Sequence, residues 1–409
     1  MQKEKIYCLS LGCPKNIVDS EKILAKYFKE YNIVKDPEEA TAIFINTCSF
    51  IYDAKDESVN AILESIELNK KVFVSGCLIE QHYSEINENI KGINIIKDDI
   101  LNFEDRVLYF NEYTNYIKVS EGCNRTCSFC TIPSFKGSYR SRYIEDIVKE
   151  ASFIKKSRPQ TKELILVSQD TSYYGIDIYN RPMLPRLLYE LSDVGFDWIR
   201  VMYLYPQTVS DDLIMAIKNL PNLVKYIDIP LQHLSNSVLK RMNRWGNFED
   251  YYNLINNIRE TIPEVSIRSA FIIGYPGESE KEFEELYNGL EKLKLDRVGF
   301  FKYSDEDGTV SYSQRPKISK KLKDDRLKIV SELQENISFE VLKKRVGKKL
   351  NVIIEEFDGN DYIGRSEYDA PEIDGLVYFK SKKRLNIGNI YPVFIESSDY
   401  HDIYGVYAE

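Results

Sequence analysis

The stretch "YIKVSEGCNRTCSFC" (116–130) runs from an apolar, strand-like segment directly into three cysteines packed within eight residues. The spacing C-x3-C-x2-C sets Cys123, Cys127 and Cys130 on one loop, where three thiolates can converge on a soft metal centre. A structural zinc asks for four protein ligands, usually as two C-x2-C pairs, and neither a fourth cysteine nor a histidine lies nearby in the sequence. An iron–sulfur cubane held by three cysteines instead leaves one iron open to an outside ligand. The residues favour the cubane and leave a zinc knuckle as the alternative.

The segment before the loop is the first of six candidate strands, "YIKVS", "ELILVSQ", "IRVMYL", "YIDIPL", "SIRSAFIIG" and "RVGFFKYS", which alternate with helical stretches between about 116 and 315. Such alternation predicts a partial or complete barrel of strand–helix units with its chemistry at the carboxyl-end mouth, where the cysteine loop falls. The first hundred residues alternate in the same way. "KIYCLSLG" reads as a strand, and the helix after it places Ile17, Leu24, Tyr27, Phe28 and Tyr31 on one face. "TAIFINT" and "KVFVSG" are two more strands, so a parallel sheet is expected, with ligands beyond its carboxyl edge. Cys13 follows the first strand, Cys48 the second and Cys77 the third, so all three should gather at that edge although 35 and 29 residues separate them. Cys8 lies inside the first strand and is expected in the core.

A helix is expected over "KDDRLKIVSELQENISFEVLKKRVG", with Leu327, Val330, Ile337 and Val341 on one side. After Gly347 the pattern changes to "LNVIIEEF", "GLVYFK" and "YPVFIESS", which suits a small antiparallel β-barrel. The expected fold class is therefore α/β in three domains: a parallel α/β domain over 1–112, a barrel over 113–340 and a small β-barrel over 341–409.

A chain of 409 residues is long enough for two or three domains, and 43% apolar with 29% charged residues is globular. No apolar run approaches the roughly 18 residues that span a bilayer, and the N-terminus lacks a signal-peptide layout, so a cytoplasmic, non-membrane protein is expected. Thiols stay reduced there, and seven cysteines cannot all pair. The net charge of −9 argues against bulk electrostatic binding of nucleic acid. The last sixty residues are lopsided in charge, with five Lys and Arg against twelve Asp and Glu.

With both cysteine trios in view, the chain resembles the radical S-adenosylmethionine methylthiotransferases over its whole length, the small barrel corresponding to a TRAM domain. "SLGCPKNIVDSE", "RVMYLYP", "DIPLQHLSNSVLKRMNR" and "FKYSDEDGT" are similar to the subfamily that acts on an aspartate of small-subunit ribosomal protein S-twelve. The subfamily acting on a hypermodified tRNA adenosine more often reads T-x-G-C-Q-M-N at the first of these. The resemblance implies two 4Fe-4S clusters, one on Cys123, Cys127 and Cys130 and one on Cys13, Cys48 and Cys77. It also implies two molecules of S-adenosylmethionine: one methylates the sulfur to be transferred, and the other yields a 5′-deoxyadenosyl radical. The implied partners are ribosomal protein S-twelve, free or in the small subunit with ribosomal RNA close by, and an electron donor such as flavodoxin or ferredoxin.

The acidic last domain fits that subfamily, since it would repel tRNA and attract a basic ribosomal protein, although "KSKKR" (380–384) could form a local RNA patch. A non-enzymatic iron–sulfur carrier or ribosome assembly factor is the competing class; a carrier normally closes each cluster with four protein ligands. By their place after the second barrel strand, Gln169, Asp170 and Thr171 are candidates to contact the cofactor, with a helix cap as the other reading. Arg268 could pair with the cofactor carboxylate or form a structural ion pair. Gly274 and Gly277 could admit the adenine or simply turn the chain around Pro276. Gln232 and His233 belong at the mouth, as substrate-handling or as structural groups. The basic stretches "KGSYRSR" and "KRMNR" could steer an anionic target or be solvated, and Lys15 and Asn16 match the subfamily motif without an assigned role.

Overall fold

The computed structural model describes residues 3–408. The N-terminal sheet comprises β1 (Lys5–Ser10), β2 (Asn32–Val34), β3 (Ala42–Thr47), β4 (Lys71–Gly76) and β5 (Ile93–Ile95), in the order β2-β1-β3-β4-β5. Every pair is parallel. Every residue of the central strand β3 is buried, as a strand covered on both faces requires. Helices α1 (Pro14–Tyr27), α2 (Tyr52–Glu67) and α3 (Cys77–Asn89) return the chain, so the turns after β1, β3 and β4 share one edge. The edge strands β2 and β5, three residues each, are too short to show a period in sequence. Cys8 is core, as expected.

The central region carries β6 (Thr114–Lys118), then a two-residue ribbon of β7 (Ser120–Glu121) against β8 (Arg140–Ser141), then β9 (Glu163–Val167), β10 (Trp198–Val201), β11 (Tyr226–Asp228), β12 (Ser266–Ile273) and β13 (Arg297–Lys302). The six long strands form two parallel sheets, β6-β9-β10 and β11-β12-β13. These meet through a bridge between Ile199 and Leu223 and a bond from Leu204 N–H to the Asp228 carbonyl at 2.9 Å. Among the described residues β6 and β13 do not pair, so the barrel is incomplete. Outward residues such as Ile117, Leu164, Leu166, Ile199 and Val201 pack under the surrounding helices. Inward ones, Tyr116, Ile165, Val167, Trp198 and Tyr226, fill the lumen.

The C-terminal barrel is closed by β14 (Lys349–Phe357), β15 (Tyr362–Ser366), β16 (Val377–Lys380), β17 (Ile390–Ser398) and β18 (Ile403–Tyr407), in the order β14-β15-β16-β18-β17. Its pairs are antiparallel except β16 with β18. β15 and β18, short and each interrupted by a glycine, escape a sequence reading. This barrel packs into the open lumen: Ile353, Ala370 and Ile390 join the inward residues, as do Ile17 and Val18 of α1. Polar contacts accompany them. Buried Glu163 accepts from Arg200 and from Arg365 of the small barrel, both at 2.7 Å. Arg297 pairs with Asp369 at 2.6 Å, and the Tyr226 hydroxyl donates to Asp374 at 2.6 Å. Part of the domain's acidity therefore faces inward, and counting charges in sequence overstates its acidic surface.

A second buried network joins the sheet to the central barrel. Arg106 reaches Glu21 of α1 at 2.6 Å and Glu150 at 2.9 Å, while Lys22 and Arg142 reach Glu150 at 3.2 and 2.6 Å. Lys118 sits between Asp19 and Glu121, the latter at 2.5 Å. No helix among the described residues is long and apolar enough to cross a membrane.

Two outcomes follow for stability. Glu163→Ala takes the carboxylate from buried Arg200 and one of two from buried Arg365, and is expected to lower the unfolding free energy by about 3–5 kcal/mol, read from urea denaturation; an unshifted midpoint would refute the pairing. At Glu150, burial pushes the carboxyl up, but Arg142, Lys22 and Arg106 overcome it and hold the group at about 2, below its usual 4.5. Its stabilisation is complete above pH 4.5 and is lost as the pH falls toward 2. The stability gap between the wild type and Glu150→Gln should therefore narrow across that window.

Candidate functional site

The N-terminal trio is assembled by the sheet edge. Cys13 caps α1 in extended conformation, with Pro14 at the first helical position; Cys48 begins the turn after β3; Cys77 opens α3. Two glycines permit the close approach. A Cβ on Gly12 would stand 2.7 Å from the Cys48 sulfur, and one on Gly76 would stand 2.2 Å from Asn46 Oδ1 and 2.5 Å from the Thr47 carbonyl. Both adopt positive φ, +85° and +98°, which glycine accepts without steric penalty. Asn16 ties the three turns together. Its Nδ2 donates to the carbonyls of Leu11 (2.7 Å) and Thr47 (3.0 Å), its own carbonyl accepts from Asn46, and its Oδ1 lies 3.9 Å from Cys77 Sγ. The motif residue left unassigned in sequence is thus the brace of the trio.

The second trio lies between the ribbon strands β7 and β8. Cys123 N–H donates to the Gly137 carbonyl at 3.1 Å, and Cys130 immediately precedes Thr131 and the short helix α4 (Ile132–Lys136). Arg125 N–H points at Cys123 Sγ at 3.4 Å, and Arg244 Nη1 lies 3.7 Å from Cys127 Sγ. Both guanidiniums stack on Tyr205, at 3.9 and 4.2 Å from the ring centre. Burial pushes the Cys123 thiol up to about 11 and the Cys130 thiol up to about 12. Burial also raises Cys48 and, well above the usual thiol range, Cys77.

Both trios open onto one seam. The helices α3 and α4, which carry on from Cys77 and Cys130, pack together, and Lys136 of α4 pairs with Glu80 of α3 at 2.8 Å. Cys77 feels the charge of Cys13 and Cys48, and Cys130 that of Cys127 and Cys123, so each trio is a local cluster. Among the described residues no three Cys, His, Asp or Glu groups come close enough to grip a single metal ion.

The remaining sequence candidates divide. Gln169 donates through Nε2 to Glu121, while its Oε1 is buried without a donor. Asp170 is engaged within the chain: it accepts from Arg125 Nε at 2.9 Å, Ser172 Oγ at 2.8 Å and Tyr173 N–H at 3.1 Å, capping a single turn. Thr171 Oγ1 donates to the Met202 carbonyl at 2.6 Å. Arg268 points into the lumen and pairs with Asp228 at 3.0 Å and Asp374 at 3.6 Å. Gly274 N–H donates to Glu278 at 3.0 Å.

His233 is fully buried. Its Nδ1 accepts from Ser235 N–H at 2.9 Å and its Nε2 lies 3.3 Å from Glu278, so both ring nitrogens serve the fold. Neither basic stretch is merely solvated or free to steer: Lys136 pairs with Glu80, Arg140 with Asp99, Arg142 with Glu150, and Arg241 with Glu282 at 2.7 Å. The sequence assigns no role to Arg125, Tyr203 or Tyr205, and it offers Arg244 only as part of a basic stretch. Arg125 lies inside the cysteine motif itself, which was the available signal.

Comparison with known proteins agrees with this architecture. The model of the Radical SAM superfamily matches residues 117–290, that of the uncharacterized protein family UPF0004 residues 5–97, and that of the TRAM domain residues 346–407. The chain is 45% identical to the ribosomal protein uS12 methylthiotransferase RimO of Caldanaerobacter subterraneus subsp. tengcongensis, across 98% of this chain and 99% of that one. It is 43% identical to the same enzyme of a Thermoanaerobacter species (98% and 99% covered) and 39% identical to that of Clostridium botulinum (99% and 98%). Among solved structures, the radical S-adenosylmethionine methyltransferase TsrM of Kitasatospora setae shares the fold with a TM-score of 0.52 at 12% identity, covering 74% of this chain and 75% of that one. The cobalamin-dependent radical enzyme OxsB gives a TM-score of 0.50 at 11% identity, covering 81% and 56%. The chain is an enzyme of the radical S-adenosylmethionine methylthiotransferase class and belongs to the RimO family.

Proposed function

We propose that this enzyme replaces a hydrogen on the β-carbon of an aspartate in ribosomal protein uS12 with a methylthio group, using two 4Fe-4S clusters and two molecules of S-adenosylmethionine. The observation that carries the reading is the gathering of six of the seven cysteines into two trios on one seam, with Cys8 set apart in the core. The donor sets fit the clusters. Buried thiols raised this far ionise only against a positive centre, which a metal cluster provides. A cubane takes three protein thiolates on three separate irons, which matches the count in each trio.

When bound, the cluster on Cys123, Cys127 and Cys130 supplies the electron that cleaves S-adenosylmethionine to a hydrogen-abstracting radical, and the cluster on Cys13, Cys48 and Cys77 carries the sulfur. The chain's own residues do the rest. Arg125 gives its backbone N–H to the Cys123 sulfur, and Arg244 sets its guanidinium beside the Cys127 sulfur. Gln169 Oε1, buried without a donor, is left to accept from the amino group of the cofactor. Asp170 positions Arg125, and Glu278 holds the turn at Gly274 by accepting from its N–H, where the adenine would lie. Arg268 is held between Asp228 and Asp374, with its role in binding the cofactor carboxylate dependent on exchanging one of them. The acidic small barrel favours a basic ribosomal protein near ribosomal RNA, and the reaction runs in the reducing cytoplasm with an electron donor such as flavodoxin or ferredoxin.

Anaerobically reconstituted wild type should carry about eight irons per chain, and Cys13→Ala, Cys48→Ala or Cys77→Ala about four. The three variants should lose methylthiolation while retaining some cofactor cleavage. Mass spectrometry of a deletion strain should find uS12 lacking the methylthio group and tRNA modified as usual; the reverse pattern would assign the enzyme to tRNA.

A further inference from the structure

Resting on that reading of function, we propose that Lys15 binds the side-chain carboxylate of the target aspartate and thereby selects aspartate over its amide. The cations around the seam are nearly all engaged. Lys118 lies between Asp19 and Glu121, Lys136 meets Glu80 at 2.8 Å, Arg125 meets Asp170 at 2.9 Å, and Arg268 meets Asp228 at 3.0 Å. A cavity of about 320 Å³ at the seam is lined by such cations, including Lys118, Lys136 and Arg140, each already facing a carboxylate. Lys97 also lines it without a carboxylate partner among the described residues, but it is exposed and lies over the ring of Tyr83.

Lys15 differs. It is half-buried, two residues beyond Cys13, and among the described residues its ammonium has neither a hydrogen bond nor an ion pair. It rests over the ring of Tyr203, 4.5 Å from the centre. Tyr203 belongs to the turn after β10, at the carboxyl end of the central barrel, and its φ of +62° is unusual for a non-glycine residue. That backbone is held by two bonds, its N–H to Asp228 Oδ2 at 3.0 Å and its carbonyl from Thr171 N–H at 2.9 Å. The ring thus forms a fixed shelf, and the ammonium lies between the sheet edge that carries Cys13 and the barrel mouth.

A half-buried ammonium without a counter-ion can still take one, and a tyrosine face compensates it far less than a carboxylate would. A ligand carboxylate completes this site. In an aspartate side chain the carboxylate carbon is bonded directly to the β-carbon, so anchoring the carboxylate confines the reacting C–H to a small volume beside Cys13. An asparagine has the same shape but no charge for Lys15 to hold.

The test uses holoenzyme and recombinant uS12 carrying either Asp or Asn at the modified position, with KM from methylthiolation and affinity from fluorescence anisotropy. Wild type should favour the Asp form. Lys15→Met should weaken it by about thirtyfold in both measurements, with little change for the Asn form, while Lys15→Arg should keep the preference. Iron content, measured on each variant, separates lost recognition from lost clusters. A Lys15→Met enzyme with full iron and an unchanged Asp-over-Asn ratio overturns the assignment alone. So does an equal loss on both substrates, which would mark Lys15 as structural. Wild type that cleaves S-adenosylmethionine yet never modifies the Asp form overturns the proposed function, and the assignment with it.

Discussion

The molecule is organised around a constraint on α1: its buried charges must be paired, and their partners lie on the central barrel or, for Arg106, on the segment that leads into it. Asp19 meets Lys118, Glu21 meets Arg106, and Lys22 meets Glu150, with Arg106 and Arg142 sharing that same carboxylate. A single mispaired member would leave a charge in a dry interior at a cost of several kcal/mol. Hydrophobic contact alone tolerates sliding; these directional bonds do not. They set the rotation of α1 about its axis, and with it the direction of its first turn. That turn carries Cys13, Lys15 and Asn16, so the interface that joins sheet to barrel also aims the chemistry of the sheet at the barrel mouth.

The lumen shows the same economy with a different partner. An incomplete barrel leaves inward side chains that no seventh or eighth strand covers. The small C-terminal barrel covers them with Ile353, Ala370 and Ile390, and it meets the lumen's arginines with carboxylates of its own or shares one with them. Arg297 is answered by Asp369, and Arg365 returns the favour by joining Arg200 on Glu163. The domain is therefore a structural part of the barrel. Part of its acidity is internal rather than a surface property, because Asp369 and Asp374 are buried against arginines of the central barrel.

The features legible in sequence were those with short-range signatures. The spacing of Cys123, Cys127 and Cys130 is local, and the six barrel strands are apolar runs of ordinary length. Even the dispersed trio could be foreseen, since Cys13, Cys48 and Cys77 each follow a strand of one parallel sheet. What escaped was set by tertiary context. β2 and β5 are three-residue edges, and β15 and β18 carry glycines where a strand pattern expects side chains. Arg244 sits in a basic stretch that reads as steering or solvated, yet it is half-buried against Cys127 because the turn at 243–246 folds beneath the cysteine loop; Asn243 reaches Thr126 there at 2.7 Å. His233 looked like a mouth residue because it follows a strand, and only the side chain of Glu278, 45 positions later, reveals that it is internal.

Two non-glycine residues at the barrel mouth carry left-handed backbones, Tyr203 at φ +62° and Gln232 at φ +76°. Each such residue costs on the order of 1–3 kcal/mol and persists only when its surroundings over-determine it. Here they do. Gln232 is clamped on both sides, its N–H donating to the Ala270 carbonyl and its carbonyl accepting from Ile272 N–H, both at 2.8 Å. Tyr203 is clamped by Asp228 and Thr171. Asp228 thereby joins two roles, since the same carboxylate fixes Arg268 in the lumen. A radical reaction gains selectivity from holding one C–H bond in place while water and other hydrogens are kept away. A mouth whose turns are locked by buried carboxylates, at the end of a lumen already filled, supplies that rigidity before any substrate arrives.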